Sequence, residues 1–277
     1  MFDLICPVCG GALRQEGRSL VCGERHCFDI AKQNYVNLLR SSQSSKKHHG
    51  DDDLMVRARQ MFLNKGYYTC LWDAVCDMAL RYTDGDVSLL DAGCGEGWYT
   101  AGVRQAFVSE GRGCDAVGID ISRAALIRAA KRDRDISLAV ASIAAMPVAD
   151  NSRDVVLNIF APDESKEFFR VLKPGGVLLH AMPMEEHLME LKAAVYDVPR
   201  PNPPARYEPK GFTLLERREI RRQITLDSNE DIRALFMMTP YYYKTGRADQ
   251  AKLETLEHLT VSLAFAVFAV KKQGSDD

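Results

Sequence analysis

Apolar and polar positions divide the chain into three stretches with different rhythms. Residues 1–39 hold only short apolar runs set between cysteines. Residues 40–53 read Arg-Ser-Ser-Gln-Ser-Ser-Lys-Lys-His-His-Gly-Asp-Asp-Asp and contain no apolar side chain. Such a segment buries too little surface to offset its ordering entropy, so the pattern predicts a mobile linker. Residues 54–277 then open with helical spacing. Leu54, Ala58, Met61 and Phe62 share one face, and Asp51 to Asp53 stand where acidic side chains favour a helix N-terminus. A second helical pattern covers 71–82. From Val87 the period alternates, with strands expected at 87–91, 115–120, 137–141, 154–160 and 176–182, and helices at 99–108, 123–131 and 164–172. This alternation implies right-handed parallel crossovers and an α/β fold with a doubly wound, mostly parallel sheet. An extended connector is expected at 199–209, which holds five of the eleven prolines. Two late β-rich stretches, 217–225 and 259–270, flank a helical segment near 231–238.

Composition narrows the class without choosing a substrate. Hydrophobic residues make up 46% and charged residues 27%, as in an ordinary soluble globular protein. The longest apolar-rich run, 261–270, is far short of the roughly 20 residues of a membrane span. The first residues lack the pattern of a secretory leader. These features predict a cytoplasmic protein with no membrane partner, whose eight cysteines serve metal binding or packing rather than disulfides. A net charge of −2 argues mildly against a nucleic-acid partner. Basic residues do cluster at Lys46-Lys47-His48-His49, at Arg217, Arg218, Arg221 and Arg222, and at Arg128, Lys131, Arg132 and Arg134. Alone, these read as solvated faces.

Two motifs carry chemistry. Cys6-Pro-Val-Cys9 and Cys22 with His26 form two tight knuckles whose donors can enclose zinc tetrahedrally. Four protein ligands leave no open position, so one structural zinc per chain is expected, stapling a module too small to fold on its core alone. Cys27 competes with His26 for the fourth position, and spacing does not separate them. The second motif is Leu89-Leu90-Asp91-Ala92-Gly93-Cys94-Gly95-Glu96-Gly97-Trp98, a buried strand running into a glycine-rich turn and a helix. Its glycines fall at 93, 95 and 97, out of register with the G-x-G-x-x-G of dinucleotide folds. S-adenosylmethionine lacks a phosphate but carries an ammonium, a carboxylate and a sulfonium. Asp91 suits its cationic end, Gly93 and Gly95 allow close backbone approach, and Asp120, ending the next strand, can accept both ribose hydroxyls. Leu172-Lys173-Pro174-Gly175-Gly176 and Asn158-Ile159-Phe160-Ala161-Pro162 agree with a class I, Rossmann-like methyltransferase. The second turn lies where substrate meets cofactor at the carboxyl edge of the sheet.

Beyond these motifs, Phe28-Asp29, Ala31-Lys32, Tyr35-Val36-Asn37-Leu38, Phe62-Leu63, Gly66-x-Tyr68, the run from His187 to Lys192, Gly211-Phe212-Thr213-Leu214 and Met238-Thr239-Pro240 complete a pattern. Together they resemble the RlmA (RrmA) family, bacterial enzymes that methylate N1 of a guanine in 23S ribosomal RNA. The resemblance covers most of the chain and fades after about residue 245. It implies zinc ligands at Cys6, Cys9, Cys22 and His26, and cofactor contacts at Tyr68, around Thr100 and Ala101, and at His187. It also implies a homodimer whose zinc modules help line an RNA cleft. The Asp51–53 run and the acidic total depart from what RNA attraction favours.

The expected organisation is a zinc-binding module (1–39), a linker (40–53) and an S-adenosylmethionine-dependent methyltransferase domain (54–277). The expected activity is methyl transfer to N1 of a guanine in a hairpin of large-subunit ribosomal RNA. Asn158 is the candidate for orienting the base, because exposed RNA bases are captured by hydrogen bonding and stacking. The alternatives are a small-molecule methyltransferase on the same fold, a non-catalytic RNA- or protein-binding scaffold, and a nicotinamide-linked oxidoreductase. The zinc module, the intact Asp91–Gly97 set and the glycine register disfavour them in turn.

Overall fold

The structure, a computed structural model, describes residues 2–40 and 51–274. The N-terminal module is a three-stranded antiparallel ribbon of β1 (Arg14–Glu16), β2 (Ser19–Val21) and β3 (Cys27–Asp29). Gly17, in the left-handed region at φ +62, turns β1 into β2. β4 (Tyr35–Asn37) then leaves the ribbon and pairs in parallel with a strand of the large sheet.

The large sheet follows the expected alternation. After α1 (Asp53–Asn64) and α2 (Thr69–Arg81) come β5 (Val87–Ala92), α3 (Trp98–Ser109), β6 (Cys114–Asp120), α4 (Arg123–Arg132) and β7 (Ser137–Val140). β8 (Arg153–Ile159), α5 (Ser165–Val171), β9 (Leu172–Pro183) and α6 (Met189–Val195) follow. The chain finishes with β10 (Phe212–Leu226), α7 (Asn229–Met237), the short α8 (Arg247–Ala251) and β11 (Leu259–Lys272). Among the described residues the strand order is β10-β11-β9-β8-β5-β6-β7-β4, parallel except where β11 pairs with β9 and β10. The late β-rich stretches are therefore an antiparallel pair, β10 longer at both ends than its pattern indicates and β11 longer at its carboxyl end. The turn at Lys173–Gly176 interrupts the β8/β9 ladder as a register shift.

Helices α1 to α4, α6 and α7 pack on one face of the sheet around Phe62, Leu71, Val75, Phe107, Leu126 and Leu191. The other face carries, among the described residues, the short α5, the segment with Met146 and Val148, Met184 and the connector residues Ala205 and Tyr207, in addition to the zinc ribbon. Phe2, Leu4, Leu13, Leu20 and Ile30 share one core with Leu90, Val117, Ile119, Val148 and Val156 of the sheet side. The ribbon is thus the missing outer layer of the doubly wound sheet. Main-chain bonds fix it in place, from Ile5 N–H to the Pro147 carbonyl at 3.0 Å and from Leu38 N–H to the Val140 carbonyl at 2.9 Å. The fully buried Arg153 also pairs with Asp3 at 2.7 Å.

Asp52 caps α1, its carboxylate accepting the Met55 amide at 2.9 Å, so the start of α1 lies inside the stretch whose composition predicts a linker. The rest of that stretch, 41–50, with Lys46-Lys47-His48-His49, lies outside the described residues. The basic clusters elsewhere are largely neutralised. Arg217 and Arg221 pair with Glu219, Arg218 pairs with Asp77 and Glu216, and Arg132 pairs with Glu96.

Candidate active site and zinc cluster

In the ribbon, each ligand pair sits on its own tight turn. The Gly10 amide donates to the Cys6 carbonyl at 2.8 Å and the Val8 amide to Cys6 Sγ at 3.4 Å. In the second knuckle the Arg25 amide donates to the Cys22 carbonyl at 2.9 Å. The knuckles bring ligand atoms of Cys6, Cys9, Cys22 and His26 within 4.8 Å of one another. Cys9 Sγ lies 3.6 Å from Cys22 Sγ, and His26 Nδ1 lies 3.3 Å from Cys22 Sγ and 3.6 Å from Cys6 Sγ. Tetrahedral zinc with ordinary Zn–S and Zn–N bonds sets edges of about 3.8 Å between sulfurs and about 3.6 Å from sulfur to nitrogen. The four donors fit a structural zinc. Cys27 opens β3 opposite Val21, outside this group.

The cofactor loop leaves β5 at its carboxyl end. Asp91 is buried, and its Oδ2 accepts the Thr100 hydroxyl at 2.5 Å. Burial pushes the Asp91 pKa up to about 7, with the Thr100 hydrogen bond opposing and nearby Asp120 adding to the rise. Asp120 accepts the Gly95 amide at 2.9 Å and the Ser122 amide at 2.7 Å. The three glycines divide their duties differently from the reading of the bare motif. A methyl on Gly93 would lie 2.5 Å from Ala161 Cβ, so this glycine makes room for the turn after β8 rather than for a ligand. Gly97, at φ +79, lets the start of α3 close on Ala129 of α4. Gly95 is the position where backbone faces open space, with Arg59 Nη1 the nearest group at 3.7 Å from an added methyl. Thr100 has no exposed surface and orients Asp91. Ala101 faces a separate groove shared with Trp72, Trp98 and Arg132, whose walls include neither Asp91 nor Asp120.

At the neighbouring strand ends, four elements converge on an aromatic cluster. Tyr68 and His187 flank Phe265 of β11, with ring centroids 5.0 and 4.6 Å away, and Phe160 stands 5.5 Å from the same ring. Phe160 has φ +56 and is 44% exposed, which leaves an aromatic ring open to a ligand. His187 Nδ1 accepts the Ala264 amide at 3.2 Å, which leaves Nε2 to carry the proton of the neutral ring. Burial, reinforced by Lys192, pulls the His187 pKa down to about 3.

Asn158 is fully buried at the end of β8, its amide donating to the Ala92 and Pro162 carbonyls at 3.4 and 3.1 Å. It ties β5 to the turn after β8. Beside it, in register on β9, lies His180, a residue the sequence reading missed. His180 stacks on Tyr207 at 4.0 Å, and the Tyr207 hydroxyl donates to Asp163 Oδ1 at 3.0 Å. Asn158 Oδ1 and His180 Nδ1 are both buried without a hydrogen-bond partner among the described residues. The signal for His180 was a single polar residue in the run Val177-Leu178-Leu179-His180-Ala181. Tyr207 gave none, because it sits in the proline-rich connector.

Comparison with known proteins agrees with this geometry. Residues 4–47 match the zinc-ribbon model described as "RlmA, N-terminal", and residues 89–176 match a methyltransferase domain. The 23S rRNA (guanine(748)-N(1))-methyltransferase of Streptomyces fradiae is 37% identical over 197 residues, spanning 69% of this chain and 67% of its own. YxjB of Bacillus subtilis (strain 168), named provisionally as a 23S rRNA (guanine-N(1)-)-methyltransferase, is 34% identical over 200 residues, 70% of each chain. A Micromonospora griseorubida protein with the same provisional name is 38% identical over 209 residues, 68% of each chain. With its zinc ribbon, cofactor loop and these relatives taken together, the chain belongs to the RlmA family of rRNA (guanine-N1)-methyltransferases.

Proposed function

We propose that this enzyme transfers a methyl group from S-adenosylmethionine to N1 of a guanine in a hairpin of 23S ribosomal RNA. The observation that carries the reading is the open Phe160 ring, presented beside the glycine loop by a turn that Asn158 and Gly93 lock to the cofactor strand. Asp91, Gly95 and Asp120 fit the cofactor, and Tyr68 and His187 wall the cleft. Bound S-adenosylmethionine supplies an electrophilic methyl on a good leaving group. The chain's own residues therefore act mainly by positioning, which alone can account for several kcal/mol of a displacement barrier. Phe160 stacks the unpaired base, as single-stranded RNA recognition requires. Asn158 lies too deep to touch the base directly and orients the turn that does. Cys6, Cys9, Cys22 and His26 hold one structural zinc.

The test is incubation of purified protein with S-adenosylmethionine and unmodified 23S RNA, followed by primer extension. A methyl on N1 blocks Watson–Crick pairing, so a cofactor-dependent stop at one hairpin guanine is expected. Methylation of small molecules alone would replace this reading. Asn158→Ala should lower the rate of transfer while cofactor affinity stays within a few-fold, and full turnover in that variant would end its orienting role. The family resemblance carries two further parts of the proposal, a homodimer and a cytoplasmic location. The mass of the purified chain by light scattering checks the first. Cell fractionation checks the second.

A further inference from the structure

The proposed cofactor carries a carboxylate, and neither Asp91 nor Asp120 can receive it. The cations around the glycine loop are mostly committed. Arg132 is bound to Glu96 by two nitrogens, at 2.9 and 2.5 Å, and Arg128 is bound to Gln60 and Asp53. Arg123 donates to the Tyr35 hydroxyl at 2.6 Å. Arg59 differs in position. It projects from α1 over Gly95, the open glycine, and its side chain is partly exposed at 23%. Asp51 fixes it at 2.5 Å, and the Asp51 backbone is itself pinned because its carbonyl accepts the Ser122 hydroxyl at 2.7 Å. A guanidinium carries five N–H donors, more than one carboxylate can use, and its planar fork matches a second carboxylate. Burial raises the Asp120 pKa, with the Asp51 charge adding to the rise and the Arg59 charge opposing it.

Building on the cofactor reading above, we infer that Arg59 is the cofactor-carboxylate clamp of this enzyme, held over Gly95 by Asp51. α1 and the acidic residues before it thereby belong to the cofactor site. The Asp51–53 run, which counts against RNA attraction, has its own work: Asp51 orients Arg59, Asp52 caps α1, and Asp53 pairs with Arg128 and Arg57. The ammonium end then lies toward Asp91 and the carboxylate toward Arg59, which sets the direction of the methionine chain across the loop.

Calorimetry on the full chain tests this with three ligands. S-adenosylmethionine and S-adenosylhomocysteine both carry the carboxylate, whereas 5′-methylthioadenosine lacks the amino-acid end. Loss of a charge-assisted, bidentate contact predicts that Arg59→Ala weakens the first two by about 10- to 100-fold. Arg59→Lys should recover part of that loss, since lysine keeps the charge without the fork. Methylthioadenosine should bind wild type and Arg59→Ala within about twofold, which also shows that the variant is folded. Equal losses for all three ligands, or none for any, would overturn the inference. Wild-type protein that binds no S-adenosylmethionine would instead defeat the cofactor reading itself. Cofactor binding without RNA methylation would leave Arg59 in place and remove only the substrate.

Discussion

If the zinc ribbon is the outer layer of the catalytic sheet, damage inside it must be felt on the far side of the molecule. Leu20, on β2 of the ribbon, is fully buried in the core that the ribbon shares with the sheet. Leu20→Ala leaves all four zinc ligands intact but removes the transfer energy of the side chain and leaves a cavity, together costing about 2–5 kcal/mol. For a chain of this size each kcal/mol shifts the midpoint by about 2–4 °C, so a fall of roughly 4–20 °C is expected. The assay is intrinsic tryptophan fluorescence during heating. The chain has two tryptophans, Trp72 on α2 and Trp98 on α3, and both pack on the opposite face of the sheet. A cooperative body transmits the whole shift to them. A ribbon folded as a separate bead would leave the tryptophan transition where it was, and that result would refute the layered arrangement. Zinc removal by a strong chelator should move the same transition in the same direction.

Other outcomes follow from three residues of the site. Asp91 has a folded pKa raised to about 7, so its carboxyl favours the fold below its unfolded pKa near 3.9, and that contribution is lost as pH climbs toward 7. The cofactor ammonium needs the ionised form, so affinity measured by calorimetry should rise with pH between about 5.5 and 7.5, and Asp91→Asn should abolish that slope. His187→Ala leaves the Ala264 amide without its acceptor at a buried position, and denaturant unfolding should show a loss of about 1–3 kcal/mol. Because His187 stays neutral well below physiological pH, the rate profile between pH 5 and 8 should lack a His187 titration. Gly93→Ala drives a methyl to 2.5 Å from Ala161 Cβ at a left-handed backbone position. It should reduce turnover at least tenfold by displacing the Phe160 turn, and near-normal primer-extension stops in that variant would contradict the packing.

Local signals account for most of what the chain's letters disclosed. The two knuckles, the glycine register and the strand–helix alternation are each written in neighbouring residues, because turns and periodicities are short-range properties. The residues that close the site are not. Tyr68, Phe160, His187 and Phe265 come from four separate parts of the chain, and nothing in their spacing announces that they meet. Arg59 belongs to no motif, and the acidic run before it resembled linker. His180 was hidden within an apolar strand. The duties of Gly93 and Gly97 became visible only through what an added methyl would strike, Ala161 and Ala129.

By itself the sequence determined that the chain would bind zinc through two knuckles, build an α/β sheet and present a glycine loop suited to S-adenosylmethionine. Chain connectivity and side-chain chemistry suffice for those features. Tertiary structure decided that the ribbon is not an appendage. β4 extends the sheet past β7, and Phe2, Leu4, Leu13 and Leu20 bury a face that helices would otherwise cover. No pattern within the first 39 residues specifies that arrangement, because short apolar runs satisfy a private core and a shared one equally well. The choice falls to the sheet, whose second face has too few helices of its own and must be kept from water.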